Sequence, residues 1–361
     1  MGTYQTNPDL ALYPGSLDDE DRFVLENLRE NRRFRIGGAE IYGLLREAAE
    51  PIDRADLVGT IEECYAFDES AASIVDTLVE KGFLLPVEEV RRRLQQYDNW
   101  HANGWEGALD FYSLTRDYPY LDYSEASAAE IDQDLMEEYA AEGPVPPIYK
   151  RYPDAPSVDL PDVSGADLGS VRGLFDRSYL ELNESGASLD RRGLAKLLFF
   201  TLGETGTVTF DVQGEFLLKT VPSGGARHPT EAYVATFDVD GVDPGLYHYD
   251  VADHALNELD ALDREALEDV VYDLSEGPRF DPDAVVFFSS VLARSMWRYR
   301  EPRSYRVIMH DVGHVVEAIR LVGGALGHRM YFGHGFDDAG VEALLDIDGY
   351  EEPVLKFAAV G

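Results

Sequence analysis

Apolar and polar positions alternate in RFVLENL (residues 22–28) and again in RFRI (residues 33–36), which predicts a hairpin ending at Gly37 and Gly38. The apolar spacing then changes to three and four residues. It predicts helices over residues 39–47, 55–65 and 71–81. Gly82 stops the third, and FLLP (residues 83–86) reads as a short closing strand. Hairpin, three helices and strand make a winged-helix-like domain, to which we assign residues 1–95.

Residues 96–165 read as a connector. Trp100, Trp105, Phe111 and Tyr112 imply packing against other groups rather than a free tether, and one helix is expected over residues 128–142. Six prolines between Pro144 and Pro161 predict an extended strap over a surface. From residue 168 onward long helical stripes alternate with short apolar runs. Ser188 is the expected N-cap of a helix over residues 189–202, with Leu194, Leu197 and Leu198 inward. Strands are expected at residues 216–221, 232–239, 284–289 and 354–360, and a long helix at 307–326 closed by Gly327. Short strands between long helices give an α+β fold, a central mixed or antiparallel sheet flanked by helices, over residues 166–361.

Charge changes the picture of the surface. The 361 residues carry 31 Lys and Arg against 69 Asp and Glu, a formal net charge of −38, with the acid spread along the chain. Self-repulsion of that size is tolerated where salt screens it, so a halophilic, cytoplasmic setting is expected. The first 95 residues hold 11 basic and 20 acidic side chains, 11 − 20 = −9. That balance opposes nucleic-acid binding and favours a peptide or protein partner. No basic start followed by an apolar run marks a signal peptide, and no run reaches membrane length. Cys64 is the sole cysteine and is read as a small core residue of its helix.

Candidate chemistry concentrates in VPSGGARHPTEAYVATF, residues 221–237. Two adjacent glycines leave no side chain between backbone and ligand. Ser223 and Arg227 would add a hydroxyl and a guanidinium for a flat or anionic ligand. DRSYL (residues 176–180) could set Arg177 and Ser178 on a phosphate. Five arginines lie between Arg294 and Arg306, where ion pairing to surface acids is the plain reading. His310 and His314 share one face of the long helix, but Asp311 stands where a zinc protease has glutamate, and no metal is assigned.

These pieces together resemble one family. PSGGARHPTEAYV, GLYHYDVADHALNEL (residues 245–259), WRYREPRSYR (297–306), DVGHVVEAIRL (311–321), GHGFDD (333–338) and EEPVLKFAAVG (351–361) are similar, in order and spacing, to SagB-type dehydrogenases of the nitroreductase superfamily. NGWEGALDFYSLTRDYP (residues 103–119) resembles their connector, and the leading module a PqqD-like peptide-recognition domain. The resemblance implies a homodimer with FMN at the subunit interface. It also implies azoline oxidation in a ribosomally made peptide, beside a partner cyclase. By motif, Arg177 and Ser178 would face the FMN phosphate and ribityl chain. Ser223, Gly224, Gly225, Ala226 and Arg227 would line the flavin ring, and Gly333, His334 and Gly335 would supply backbone contacts. The family's catalytic Lys-Tyr pair falls on Arg298 and Tyr299. Arginine stays protonated, so Tyr299 is the expected proton acceptor, its phenolate favoured by Arg298 and Arg300. The alternatives are an NAD(P)H-dependent nitroreductase or flavin reductase, and a flavin-free peptide-binding scaffold.

Overall fold

A computed structural model describes residues 2–14, 23–36, 40–176 and 186–361. The chain divides into two compact units, Met1–Leu121 and Asp122–Gly361.

In the first unit β1 (Thr3–Thr6) leads to β2 (Leu10–Pro14), which pairs with β3 (Phe23–Asn27), itself paired with β4 (Arg32–Ile36), all antiparallel. Helix α1 (Glu40–Glu47), the short β5 (Ile52–Asp53), α2 (Arg54–Cys64), α3 (Ala71–Glu80) and β6 (Leu84–Pro86) follow. β1 lies between β5 and β6. The three helices enclose Leu44, Leu57, Ile61, Val75 and Leu78. Cys64, expected inside, is exposed. Helix α2 buries Leu57 and Ile61, then ends, and the extended Tyr65 takes the next inward place.

Two helices stand where a connector was expected, α4 (Val87–Ala102) and α5 (Glu106–Arg116). The buried residues of α4 are Val90, Arg93 and Tyr97, so its inner face is largely polar. Arg93 Nη1 donates to Asp9 Oδ2 at 2.5 Å, and Tyr97 Oη donates to Asp9 Oδ1 at 2.6 Å. Burial, then the Asp9 carboxylate, push the Tyr97 phenol up to about 12. A satisfied polar network therefore ties α4 to the β1–β2 turn where an apolar stripe would otherwise be needed.

The second unit opens with α6 (Ala128–Glu142), the strap carrying β7 (Ser157–Asp159), and the short α7 (Arg172–Asp176). Helix α8 (Arg191–Leu202) starts later than expected, because Asp190 rather than Ser188 caps it, accepting from the Gly193 amide at 2.6 Å. The hairpin β8 (Glu204–Phe210) and β9 (Gly214–Lys219) precedes β10 (Thr230–Thr236), β11 (Gly245–Asp250) and β12 (Ala255–Asp260). Helices α9 (Arg264–Val270) and α10 (Tyr272–Glu276), strand β13 (Ala284–Ser290), then α11 (Leu292–Met296) and α12 (Ser304–Leu326) come next. Strand β14 (Met330–Gly333), helix α13 (Asp338–Leu345) and β15 (Val354–Val360) complete the chain.

Seven strands form one antiparallel sheet in the order β14-β15-β13-β10-β11-β12-β7. Its middle strands are apolar on both faces. Ala232, Val234, Val286, Phe288 and Ala358 pack under α8 and α12. Tyr233, Ala235, Val285, Phe287 and Phe357 pack under α9, α10 and α13. Helices on both sides explain why these strands read as continuous apolar runs. Gly327 ends α12 in the left-handed conformation, φ 85°. The strap lies on this unit as expected, with Lys150 Nζ donating to Glu352 and Tyr233 and Tyr149 Oη donating to Glu204. No helix among the described residues is long and apolar enough to cross a membrane.

Candidate functional site

β9 ends at Lys219 and β10 begins at Thr230, so the chain between them must turn sharply. Gly225, Ala226 and His228 all take left-handed backbone, φ 61°, 51° and 45°. For the two that are not glycine this stores about 1–3 kcal/mol each, which surrounding contacts must offset. Asp311 supplies them. It sits on the inward stripe of α12 with Ile308, Val312 and Val315 and is 4% exposed. Its carboxylate accepts from Ser223 Oγ at 2.6 Å and from the Gly224 amide at 3.0 Å. Ser223 Oγ in turn accepts from the His228 amide at 2.9 Å. One carboxylate thus gathers both ends of the turn. Burial pushes its pKa up, more than Ser223, Gly224 and the neighbouring His314 and His310 pull it down.

Arg294 of α11 holds the turn from the other side and is also 4% exposed. Its Nη1 donates to the His228 carbonyl at 3.0 Å and to Glu231 at 2.5 Å, and its Nε to the Pro147 carbonyl of the strap at 3.0 Å. Glu231 also meets His248 Nε2 at 3.0 Å. Burial opposes the Glu231 charge, but Arg294 and His248 outweigh it and hold the carboxyl well below the usual range. His228 is pushed down to about 3, by burial first and by Lys219 second.

The glycines were expected to leave space for a ligand. That space holds this chain's own side chains. A Cβ on Gly224 would lie 2.2 Å from Val307 Cγ1, and one on Gly225 would lie 1.9 Å from Tyr299 Oη. The donors are engaged as well: Ser223 and Gly224 with Asp311, and the Arg227 guanidinium with Gln213. Arg227 stacks 4.3 Å above the Phe216 ring and 5.7 Å from Trp297. Burial lowers its pKa to about 10. Its Nε is buried with no hydrogen-bond partner among the described residues.

The nitroreductase family profile matches residues 194–361. Over 317 residues, 85% of this chain and 83% of the relative, the sequence is 30% identical to the trifolitoxin-processing protein TfxB of Rhizobium leguminosarum bv. trifolii. The chain belongs to the nitroreductase family. Members are in general FMN-dependent oxidoreductases. A chain of the E. coli microcin synthetase McbBCD complex with truncated pro-MccB17 bound is 18% identical, covers 68% of this chain and 98% of its own, and superposes with a TM-score of 0.42. A Desulfovibrio desulfuricans protein of nitroreductase type in complex with FMN is 11% identical, covers 51% of this chain and 83% of its own, with a TM-score of 0.32.

Within this nitroreductase-family domain, Arg298 and Tyr299 meet the turn. Arg298 pairs with Asp132 of α6 and lies 5.1 Å from the Tyr299 ring. Arg298 favours the phenolate as expected, but Arg300 is not among the charges that act on it, and the net direction is the reverse of the expectation. Burial raises the Tyr299 pKa by more than Arg298 and Arg227 lower it. Arg300 is turned away, paired with Glu142 and stacked 3.6 Å from Tyr139. Arg294, Arg298 and Arg300 therefore form ion pairs, and those of Arg298 and Arg300 fasten α6 to the domain.

Gly333 closes β14, and His334 and Gly335 lead the chain away from it. The His334 and Gly335 amides donate to Asp273 Oδ2 at 3.2 and 2.8 Å. A Cβ on Gly333 would lie 2.2 Å from the Phe357 ring. No hydrogen bond among the described residues joins this segment to residues 223–227. Arg177 and Ser178 lie outside the described residues. His310 and His314 are exposed, and no group of three or more potential metal ligands occurs among the described residues. Between those histidines it is Asp311 that points inward. Sequence reasoning met Asp311 only as a departure from a zinc-protease pattern and passed over Glu231, although a carboxylate on the apolar stripe of α12 was a visible signal.

Proposed function

We propose that the chain is an FMN-dependent dehydrogenase that oxidises azoline rings in a ribosomally made peptide. The observation that carries this reading is the Tyr299 hydroxyl resting on Gly225, which brings the candidate proton acceptor to the candidate flavin loop. The buried Arg227 Nε fits the polar edge of a flavin ring, since it needs an acceptor that the described residues do not provide. Ser223, Gly224, Gly225, Ala226 and Arg227 would hold the ring, with Arg177 and Ser178 toward the phosphate. FMN bound there supplies the two-electron acceptor for hydride. Asp311 and Arg294 hold the turn in its strained form, and Tyr299 and Val307, which fill the space beside the glycines, would have to move to admit the ring.

Tyr299 Oη takes the substrate's carbon-bound proton when ionised. Its raised pKa makes that form scarce at neutral pH, so turnover rises as pH climbs through and above neutrality. The reading extends to the relatives' setting, a peptide substrate recognised through the first unit and a partner cyclase. It also extends to a homodimer, supported by the exposed Val307 and Met309 of α12 and Phe210 of the β8–β9 hairpin. One observation favours the flavin-free scaffold instead: Asp311 already occupies the Ser223 and Gly224 donors.

A visible spectrum of the full chain titrated with FMN separates the two. A bound-flavin spectrum, with azoline turnover that rises with pH and is lost in Tyr299→Phe, is expected. No spectral change at saturating FMN defeats the dehydrogenase reading and leaves the scaffold.

A further inference from the structure

The strap roofs one side of the candidate site. Val145, Pro146 and Ile148 face Phe216, Ala226 and Arg227 across a cavity of about 20 Å³, room for about one water. Arg227 therefore admits no ligand from this side while the strap is down. Yet its Nε is buried with no acceptor among the described residues.

Side chains hold residues 144–152 in place. None of these residues is fully buried, and none lies in a helix or strand. Among the described residues, none of their backbone amides donates to another backbone group. Lys150 Nζ donates to Glu352 Oε2 and to Tyr233 Oη, each at 2.5 Å. Tyr149 Oη donates to Glu204 Oε2 at 2.7 Å, and the Pro147 carbonyl accepts from Arg294 Nε at 3.0 Å. Both ends are pinned separately. The Gly143 carbonyl accepts from Trp297 Nε1 at 3.2 Å, and Arg151 pairs with Asp250 at 3.1 Å and Asp253 at 2.5 Å. A segment between fixed ends, with no fully buried residue and no backbone ladder, opens locally at a free energy well below that of the whole fold.

We propose that residues 144–150 are a lid over Arg227, latched by Lys150 on Glu352, and that a planar ligand carrying hydrogen-bond acceptors reaches the Arg227 guanidinium when the lid lifts. Lys150 is the strongest of the three fastenings, because both partners of its contact with Glu352 are charged. Lifting strands no charge. Lys150 passes into water, Glu352 keeps Tyr233 and Ser289 as donors, and Arg294 keeps Glu231 and the His228 carbonyl. That the lid admits a flavin ring rests on the function proposed above; that it covers Arg227 does not, and the test uses the chain without flavin.

The full chain is treated with phenylglyoxal, which modifies arginine, and the rate at Arg227 is read by peptide mass spectrometry against the exposed Arg192. In wild type Arg227 is expected to react much more slowly than Arg192. Lys150→Met is expected to raise the Arg227 rate about tenfold or more, the loss of one charge-assisted hydrogen bond, and to leave Arg192 unchanged. That gain should not vary with urea below the unfolding transition, because lifting the lid exposes little surface, whereas global unfolding is steeply urea-dependent. Tyr149→Phe should give a smaller rise in the same direction. Arg227 as reactive as Arg192 in wild type overturns the cover. An unchanged rate in Lys150→Met, or a gain that appears only as urea unfolds the chain, overturns the latch. If Lys150→Met does not fold, Tyr149→Phe decides, and no rise at Arg227 there overturns the lid. A failure to bind FMN would tell against the flavin alone, since these rates involve none.

Discussion

Two glycine segments in the second unit use the same device and end in different states. In each, a buried or half-buried aspartate collects two donors: Asp311 takes Ser223 Oγ and the Gly224 amide, Asp273 takes the His334 and Gly335 amides. The turn at residues 223–228 has three residues in left-handed backbone, two of them not glycine. The segment at residues 333–335 has none. Capping alone therefore does not require strain. The first turn is held in a costly shape by Asp311 from one side and Arg294 from the other, and that shape brings Gly225 against Tyr299. Strain retained by two independent restraints is what singles out the first turn as the candidate site, whereas the second segment packs unstrained beside Phe357.

The comparison is broken most strongly at Arg294. Arg294→Met leaves Glu231 charged and buried, and is expected to lower stability by about 3–5 kcal/mol in urea unfolding. Adding Glu231→Gln should recover part of that loss. If Arg294→Met is as stable as wild type, the restraint on this side of the turn is not real.

Removing each cap in turn sharpens the contrast. Asp311→Ala and Asp273→Ala each strand two donors, at about 1–3 kcal/mol apiece for the buried ones. Only Asp311→Ala is expected to weaken FMN binding, read as a fluorescence titration. Equal weakening by both substitutions would merge the two segments into one site.

Gly225→Ala adds about 1–2 kcal/mol of left-handed strain and drives a methyl into Tyr299. Tyr299→Ala should rescue the overlap but not the strain, giving a coupling of about 0.5–3 kcal/mol in a double-mutant cycle. Additive effects would show that the two groups do not touch.

The smallest effect is on acid stability. His228 is held neutral, with its pKa pushed down from 6.5 to about 3. Between those values the unfolded chain binds the proton and the folded chain does not, so this residue's contribution falls as pH drops from 6.5 toward 3. His228→Asn should flatten that part of the wild-type curve of unfolding midpoint against pH. An unchanged slope would mean that His228 is solvated.

How far the sequence carried differs by element. The strands at residues 284–289 and 354–360 and the long helix were legible because most of the residues they bury are apolar. Helix α4 was not, because its inner face is Val90, Arg93 and Tyr97, and an arginine does not register as core until Asp9 is seen beneath it. Strand β11 was missed for a related reason, since His248 and Asp250 are buried within it. Cys64 was misplaced by a spacing rule that took no account of the end of α2. At the candidate site, residues 223–227 and Tyr299 could be named from the sequence. That Asp311 and Arg294 hold the turn could not, since they lie 88 and 71 positions beyond Ser223 (311 − 223 and 294 − 223).

The sequence by itself determined the α+β alternation, the acidic surface and the glycine turn. These depend on periodicity, composition and local backbone freedom, which neighbouring residues encode. The tertiary structure decided which donors are already engaged, which way the Tyr299 equilibrium leans and which buried polar atoms, such as Arg227 Nε and Thr230 Oγ1, are left without a partner among the described residues. Those depend on burial and on partners distant in the chain, and the energy of a buried charge is set by what surrounds it in space.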